Sequence, residues 1–201
     1  HIADLRGGDW SPDGNAVAAG QSINDVFVWL VNDEKRSFKG HAFLVGCVAW
    51  SPGGEWLASG GGGADSTVRL WKPDGSSGPV FTGHSSDVKY LEWSSDGQWL
   101  ASEAHDGTIR LWKPDGTIGG VFNRGECYSK NGLWSPKELL LAFGSREGAK
   151  VGEPGGTIVR EITLPEGNFT AVDWSTGGAQ LIFGTSRTSD VSSAAATRPQ
   201  P

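Results

Sequence analysis

An all-β fold, built from about five copies of a four-stranded antiparallel unit, is predicted by three observations. A Trp-Ser pair followed by a tight turn recurs at Trp10, Trp50, Trp93, Trp134 and Trp174, at spacings of 40, 43, 41 and 40 residues. Gly is abundant at 31 of 201 residues, as many tight turns require, and no stretch has the period of a long amphipathic helix. The apolar runs between turns are short, as strands are. A period near 41 with four short strands per copy describes a propeller blade, which cannot bury both faces without neighbours.

The elements follow in order. Each anchor leads into a hairpin turn such as Pro12-Asp13-Gly14 or Ser95-Asp96-Gly97, where Gly accepts the positive φ. Second strands are expected at Ala16–Ala19, Trp56–Ser59, Trp99–Ser102, Leu139–Phe143 and Gln180–Phe183. Third strands follow at Asp25–Trp29, Thr67–Trp71 and Thr108–Trp112, the last two alternating apolar and polar as half-buried strands do. Fourth strands are read at Ser37–Phe38, Pro79–Thr82, Ile118–Phe122 and Thr157–Ile162. The fifth copy lacks a fourth strand. Blades are placed at about 1–38, 39–82, 83–122, 123–162 and 163–191. Residues 192–201, SSAAATRPQP, read as a disordered polar tail. Gly60–Gly63 reads as a loop, and it lacks the Lys-Ser/Thr ending and following helix of a phosphate cradle. Gly152–Gly156 reads as a turn.

Composition narrows the function classes. Net charge is −6 with no basic stripe, which argues against nucleic acid. No apolar window is long enough to span a membrane, and the first residues lack the pattern of a signal peptide. Cys47 and Cys127 are too few for a disulfide framework, and Cys47 reads as a buried strand residue. The four His show no metal-ligand spacing, so neither a metal nor a cofactor is expected. A cytoplasmic or nuclear location is expected ahead of secretion. Eight of the ten Trp fall on repeat positions and are assigned to the core. Trp56 and Trp99, both directly after hairpin turns, are assigned to packing between blades.

The chain resembles the WD-repeat β-propeller family over about residues 1 to 190. Gly40-His41 and Gly83-His84 match its Gly-His element, and Leu70-Trp71 and Leu111-Trp112 its closing element. The Asp expected after the closing Trp is replaced by Leu30, Lys72 and Lys113. Within the family, the Arg-Leu-Trp-Lys-Pro-Asp-Gly pattern with Ala171-Val172-Asp173-Trp174 is similar to transducin-β-like corepressor subunits, with bacterial multi-repeat sensors an equal alternative. The family is usually seven-bladed. A partial propeller is therefore expected, as a fragment or as an arc completed by self-association or a second chain, ahead of a closed five-bladed ring.

The resemblance also implies roles. His41, Ser59, Asp65 and Trp71, and likewise His84, Ser102, Asp106 and Trp112, form a buried hydrogen-bond chain in their blades. The set invites a hydrolase reading, but it recurs at the repeat period and has no nucleophile elbow. The first copy, with Ile23 at the turn-Asp position, lacks it. Family propellers bind on the face carrying the fourth-to-first and second-to-third strand loops. Here that face holds Phe43, Leu44, Ser86, Asp87, Glu103, His105, Arg124, Glu126, Tyr128, Arg146 and Glu147. The expected function is a non-catalytic scaffold for a protein or peptide partner in a multiprotein complex. A carbohydrate-binding propeller is the alternative, and a propeller enzyme ranks below it.

Overall fold

A computed structural model describes residues 5–21, 24–124, 133–145, 148–163, 169–185 and 192–195. Every regular element among them is a strand. The first sheet holds β1 (Leu5–Trp10), β2 (Ala16–Gln21), β3 (Asp25–Leu30) and β4 (Lys35–Lys39). The second holds β5 (Val45–Trp50), β6 (Leu57–Gly61), β7 (Val68–Trp71) and β8 (Ser77–Phe81). The third holds β9 (Val88–Trp93), β10 (Leu100–Ala104), β11 (Thr108–Trp112) and β12 (Ile118–Asn123). The fourth holds β13 (Leu133–Trp134), β14 (Leu141–Ser145), β15 (Gly148–Gly152) and β16 (Ile158–Thr163). The fifth holds, among the described residues, β17 (Phe169–Trp174), β18 (Gln180–Thr185) and β19 (Ser192–Ala195). Strand order follows chain order in each sheet, and paired neighbours run antiparallel.

β6 and β10 start one residue later than the apolar pattern suggests, at Leu57 and Leu100, while β2 and β18 start at Ala16 and Gln180 as read. In the hairpins of the second and third sheets, the Ser51 and Ser94 hydroxyls accept the Trp56 and Trp99 amides at 3.0 and 2.9 Å. The Ser51 and Ser94 amides donate to the Trp56 and Trp99 carbonyls. In these two hairpins Trp56 and Trp99 close the turn, and Leu57 and Leu100 open the strand. Gly54 and Gly97 sit at φ 76° and 69°, the left-handed region a side chain rarely takes.

Three further differences from the sequence reading have local causes. Gly60 and Gly61 belong to β6, and the loop begins at Gly62. A Cβ on Gly60 would lie 2.6 Å from Cys47 Sγ and 2.7 Å from Val88 Cγ1, so the absent side chain lets β9 approach β6. Ser192–Ala195, the start of the expected polar tail, pairs with β18 instead, because the fifth sheet takes its third strand there. Trp10 is 62% exposed and Trp29 is only partly buried, whereas the other described anchor tryptophans are at most 8% exposed. Trp93 shows the reason: its ring N–H donates to the Ala49 carbonyl of the preceding sheet at 3.1 Å, and no described sheet precedes Trp10.

The chain divides into two compact units, residues 1–106 with 112–118, and residues 107–111 with 119–201. In the first, the apolar clusters lie between sheets. One joins Ala18, Val26, Val28 and Phe38 to Val48, Trp50, Leu57 and Trp71. The next joins Ala58, Val68, Leu70 and Phe81 to Val88, Trp93, Leu100 and Trp112. Phe38 lies 5.9 Å from Trp71 and Phe81 5.0 Å from Trp112, centroid to centroid. The fourth-strand Phe of one sheet thus rests on the closing Trp of the next, as a repeat that stabilises only through neighbours demands.

Among the described residues of the second unit, a cluster joins Leu140, Ala142, Ala149 and Val151 to Val172, Trp174 and Leu181. Its fourth sheet has lost the closing Trp, and the register shows what replaces it. Leu57 pairs with Trp71 in the second sheet, and Leu141 pairs with Gly152 in the fourth. Gly152 thus holds the Trp position and Phe143 the Ser59 position. Phe143 is fully buried, 5.1 Å from Phe122, and a Cβ on Gly152 would meet the Phe122 ring at 2.5 Å. A large and a small residue have exchanged places, which keeps the volume of the layer.

Candidate functional site

The Ser-His-Asp sets lie within the second and third sheets and their loops. Trp71 Nε1 donates to Ser59 Oγ at 2.7 Å, Ser59 Oγ lies 2.7 Å from His41 Nε2, and His41 Nδ1 lies 3.1 Å from Asp65 Oδ2. Asp65 also accepts the Ala42 amide and the Thr67 hydroxyl. The third sheet repeats this with Trp112, Ser102, His84 and Asp106, at 2.7, 2.8 and 2.9 Å. A Trp N–H only donates, so each Ser oxygen accepts from it and gives its own proton to the His Nε2. The His Nδ1–H is left for the Asp. A Cβ on Gly61 would come within 2.9 Å of Asp65 and His41, so this Gly makes room for the set.

The direction of these bonds is that of a hydrolase triad. Two observations remove the nucleophile. Ser59 and Ser102 are 0% and 1% exposed, and each hydroxyl oxygen already accepts the N–H of a buried Trp. The sets brace their sheets by tying the loop before the first strand to the second and third. Cys47 is no nucleophile either: burial pushes its thiol up to about 12.

Burial also lowers the pKa of His41 from its ordinary 6.5, and outweighs the pull of the Asp65 carboxylate toward the charged form. In Asp65 burial acts to raise the pKa, but the Thr67 hydroxyl, the Ala42 amide and His41 leave it below 3.8. The sign follows from linkage. Below pH 6.5 the unfolded His41 takes up a proton that the folded one refuses, so stability falls with pH through that window. Asp65 adds a second loss below pH 3.8. The urea midpoint is expected to drop between pH 7.5 and 5.5, and His41→Gln is expected to flatten that slope. An unchanged slope in the variant would exclude His41 as its source.

On the loop face, Phe43 is half exposed at 50%, with Leu44 and Asp87 partly buried and His105 exposed. The loops there are tied together. Gly62 N–H donates to the Leu44 carbonyl at 2.8 Å, Gly63 N–H to Asp87 Oδ1 at 2.6 Å, and His105 N–H to the Asp87 carbonyl at 3.0 Å. A Cβ on Gly62 or Gly63 would run into Leu44 or Phe43, so the Gly loop is the floor beneath both. Lys89 pairs with Asp87 at 3.3 Å.

Two residues assigned to this face are not presented on it. Glu103 is 7% exposed because it lies inside β10, opposite Tyr90. It stands where the other sheets carry Gly20, Gly60, Gly144 and Gly184, a substitution visible in the sequence once the copies are aligned. Arg124 is 8% exposed, its amide donating to the Gly107 carbonyl. Glu126, Tyr128, Arg146 and Glu147, with Ile23, lie outside the described residues.

Sequence reasoning missed the role of the Lys that replaces Asp after the closing Trp. Lys72 Nζ sits 3.7 Å above the Trp56 ring and Lys113 Nζ 4.8 Å above Trp99. Each Trp-Lys pair covers the hairpin side of its sheet through a cation–π contact. Among the described residues no group of three or more His, Cys, Asp and Glu is gathered for a metal, and no helix is long and apolar enough to cross a membrane.

The WD domain, G-beta repeat family matches residues 32–72 and 75–113. The anaphase-promoting complex subunit cdc20 of Dictyostelium discoideum is 36% identical over 77 residues, 35% of this chain and 15% of that protein. WD repeat-containing protein srw1 of Schizosaccharomyces pombe and Protein FIZZY-RELATED 1 of Arabidopsis thaliana are each 39% identical over 74 residues, again 35% of this chain. The chain thus matches only 13 to 16% of the length of these relatives. A chain in the crystal structure of the Mitotic Checkpoint Complex superposes with a TM-score of 0.78 at 22% identity, over 97% of this chain and 62% of that one. That likeness establishes the propeller-type fold.

Proposed function

We propose that the chain is a non-catalytic scaffold, in the cytoplasm or nucleus, that presents its loop face to a protein or peptide partner within a multiprotein complex. The observation that carries this reading is Phe43: a half-exposed aromatic ring on a Gly floor, in loops already fixed by hydrogen bonds. An exposed aromatic on a rigid support is the usual anchor of a protein interface. A relative named as a complex subunit and a structural neighbour from a multiprotein complex support the same reading. The carbohydrate alternative loses its motivation, since Lys72 and Lys113 cover the rings of Trp56 and Trp99.

Peptides selected by display against the immobilised chain are expected to bind through this face. Phe43→Ser should weaken the best of them at least about tenfold by calorimetry, which is roughly 1.4 kcal/mol, with the thermal midpoint unchanged. Affinities untouched by both Phe43→Ser and His105→Ala would sink the reading.

A further inference from the structure

The hairpin side of the fourth sheet differs from that of the second and third sheets at three positions at once. Register places Glu153 where the second sheet has Lys72, and alignment of the Trp-Ser anchors places Leu140 at Trp56 and Glu138 at Gly54. The third sheet carries Lys113, Trp99 and Gly97 there. The Trp-Lys cover is therefore absent, and the charge at the Lys position is reversed. Glu138 cannot take the positive φ of Gly54 and Gly97 without strain. The hairpin still closes through the Ser135 amide on the Leu140 carbonyl at 2.8 Å, but inside it the Leu140 amide donates to the Glu138 carbonyl at 2.8 Å, and Leu139 is left 39% exposed.

These changes open a cavity of about 440 Å³ lined by Glu138, Leu139, Leu140, Glu153, Pro154 and Gly155. Its apolar part comes from two Leu and a Pro, and its charged part from two carboxylates. In the second and third sheets the corresponding positions carry the chain's own lysine head over an aromatic ring. We infer that this cavity is a docking site for an arginine or lysine side chain of a basic peptide segment in another protein. The aliphatic stem lies along Leu139 and Pro154, and the cationic head reaches Glu138 and Glu153. The site uses the connections opposite in kind to those of Phe43, so it stands independently of the loop-face reading.

The test uses the isotope-labelled 201-residue chain and two probes, acetyl-Gly-Ser-Arg-Leu-Ser-Gly-amide and the same peptide with Glu for Arg. The Arg peptide is expected to shift the Leu139 and Gly155 amides saturably, with Kd on the order of 1 mM, and the Glu peptide to leave them in place. Glu138→Gln with Glu153→Gln should raise Kd at least about tenfold. Glu153→Lys, which returns the chain's own ammonium to this position, should abolish the response while preserving the dispersion of the spectrum. The inference is overturned if the Arg peptide gives no saturable shift at these amides, if the Glu peptide shifts them equally, or if Glu153→Lys binds as the native chain does. Should the double Gln variant fail to fold, Glu153→Lys alone decides.

Discussion

Trp112→Ala is expected to destabilise the protein by about 4 kcal/mol, the upper range for deleting a buried aromatic ring. The ring is 1% exposed, stacks on Phe81 and donates its N–H to Ser102, so the change removes a between-sheet contact and a link of the brace together. Trp112→Phe separates the two. It keeps much of the ring but leaves the Ser102 hydroxyl with one partner fewer, at a cost of about 1 to 3 kcal/mol. Urea unfolding of both variants gives the comparison. Equal losses in the two would mean that packing on Phe81 contributes nothing, contrary to the stacked geometry.

The exchange of large and small residues in the fourth sheet predicts a strong coupling. Phe143→Ser alone opens a cavity beneath Phe122 and places a hydroxyl in it, for a loss of about 4 kcal/mol. Gly152→Trp alone drives an indole into the Phe122 ring and costs about 3 kcal/mol. Together they rebuild the Trp-Ser arrangement of the second and third sheets. The double variant is therefore expected to lose at least about 2 kcal/mol less than the sum of the singles. Additive losses would show that the two positions do not share one space.

Much of the fold was legible because its signals are local. A Ser that caps its own hairpin and a Gly that takes a positive φ leave marks at a fixed period, and Trp10 through Trp174 keep that period even where other elements decay. The Ser-His-Asp residues were legible for the same reason, since two copies carry them at matching offsets. What escaped depends on partners distant in sequence. Gly60 reads as a loop residue until β9 is seen against it. Glu103 reads as a loop charge until its pairing with Tyr90 places it inside a strand. Phe143 looks like any apolar residue until the register sets it across from an absent Trp. Lys72 and Lys113 read as departures from a motif until the fold seats them on Trp56 and Trp99.

The two family matches are out of phase with the sheets. Residues 32–72 run from just before β4 to just past β7, and residues 75–113 take in β8 through β11. Each sequence repeat therefore carries the outermost strand of one sheet and the inner three of the next. A fragment cut at a repeat boundary, between Lys72 and Gly75, strips β8 from β7 and bares a strand edge, the feature that templates aggregation. Gly40 and Gly83 mark better seams. Each follows an outer strand and directly precedes the His that braces the next sheet, so cleavage there leaves the four strands and the brace of one sheet on the same piece.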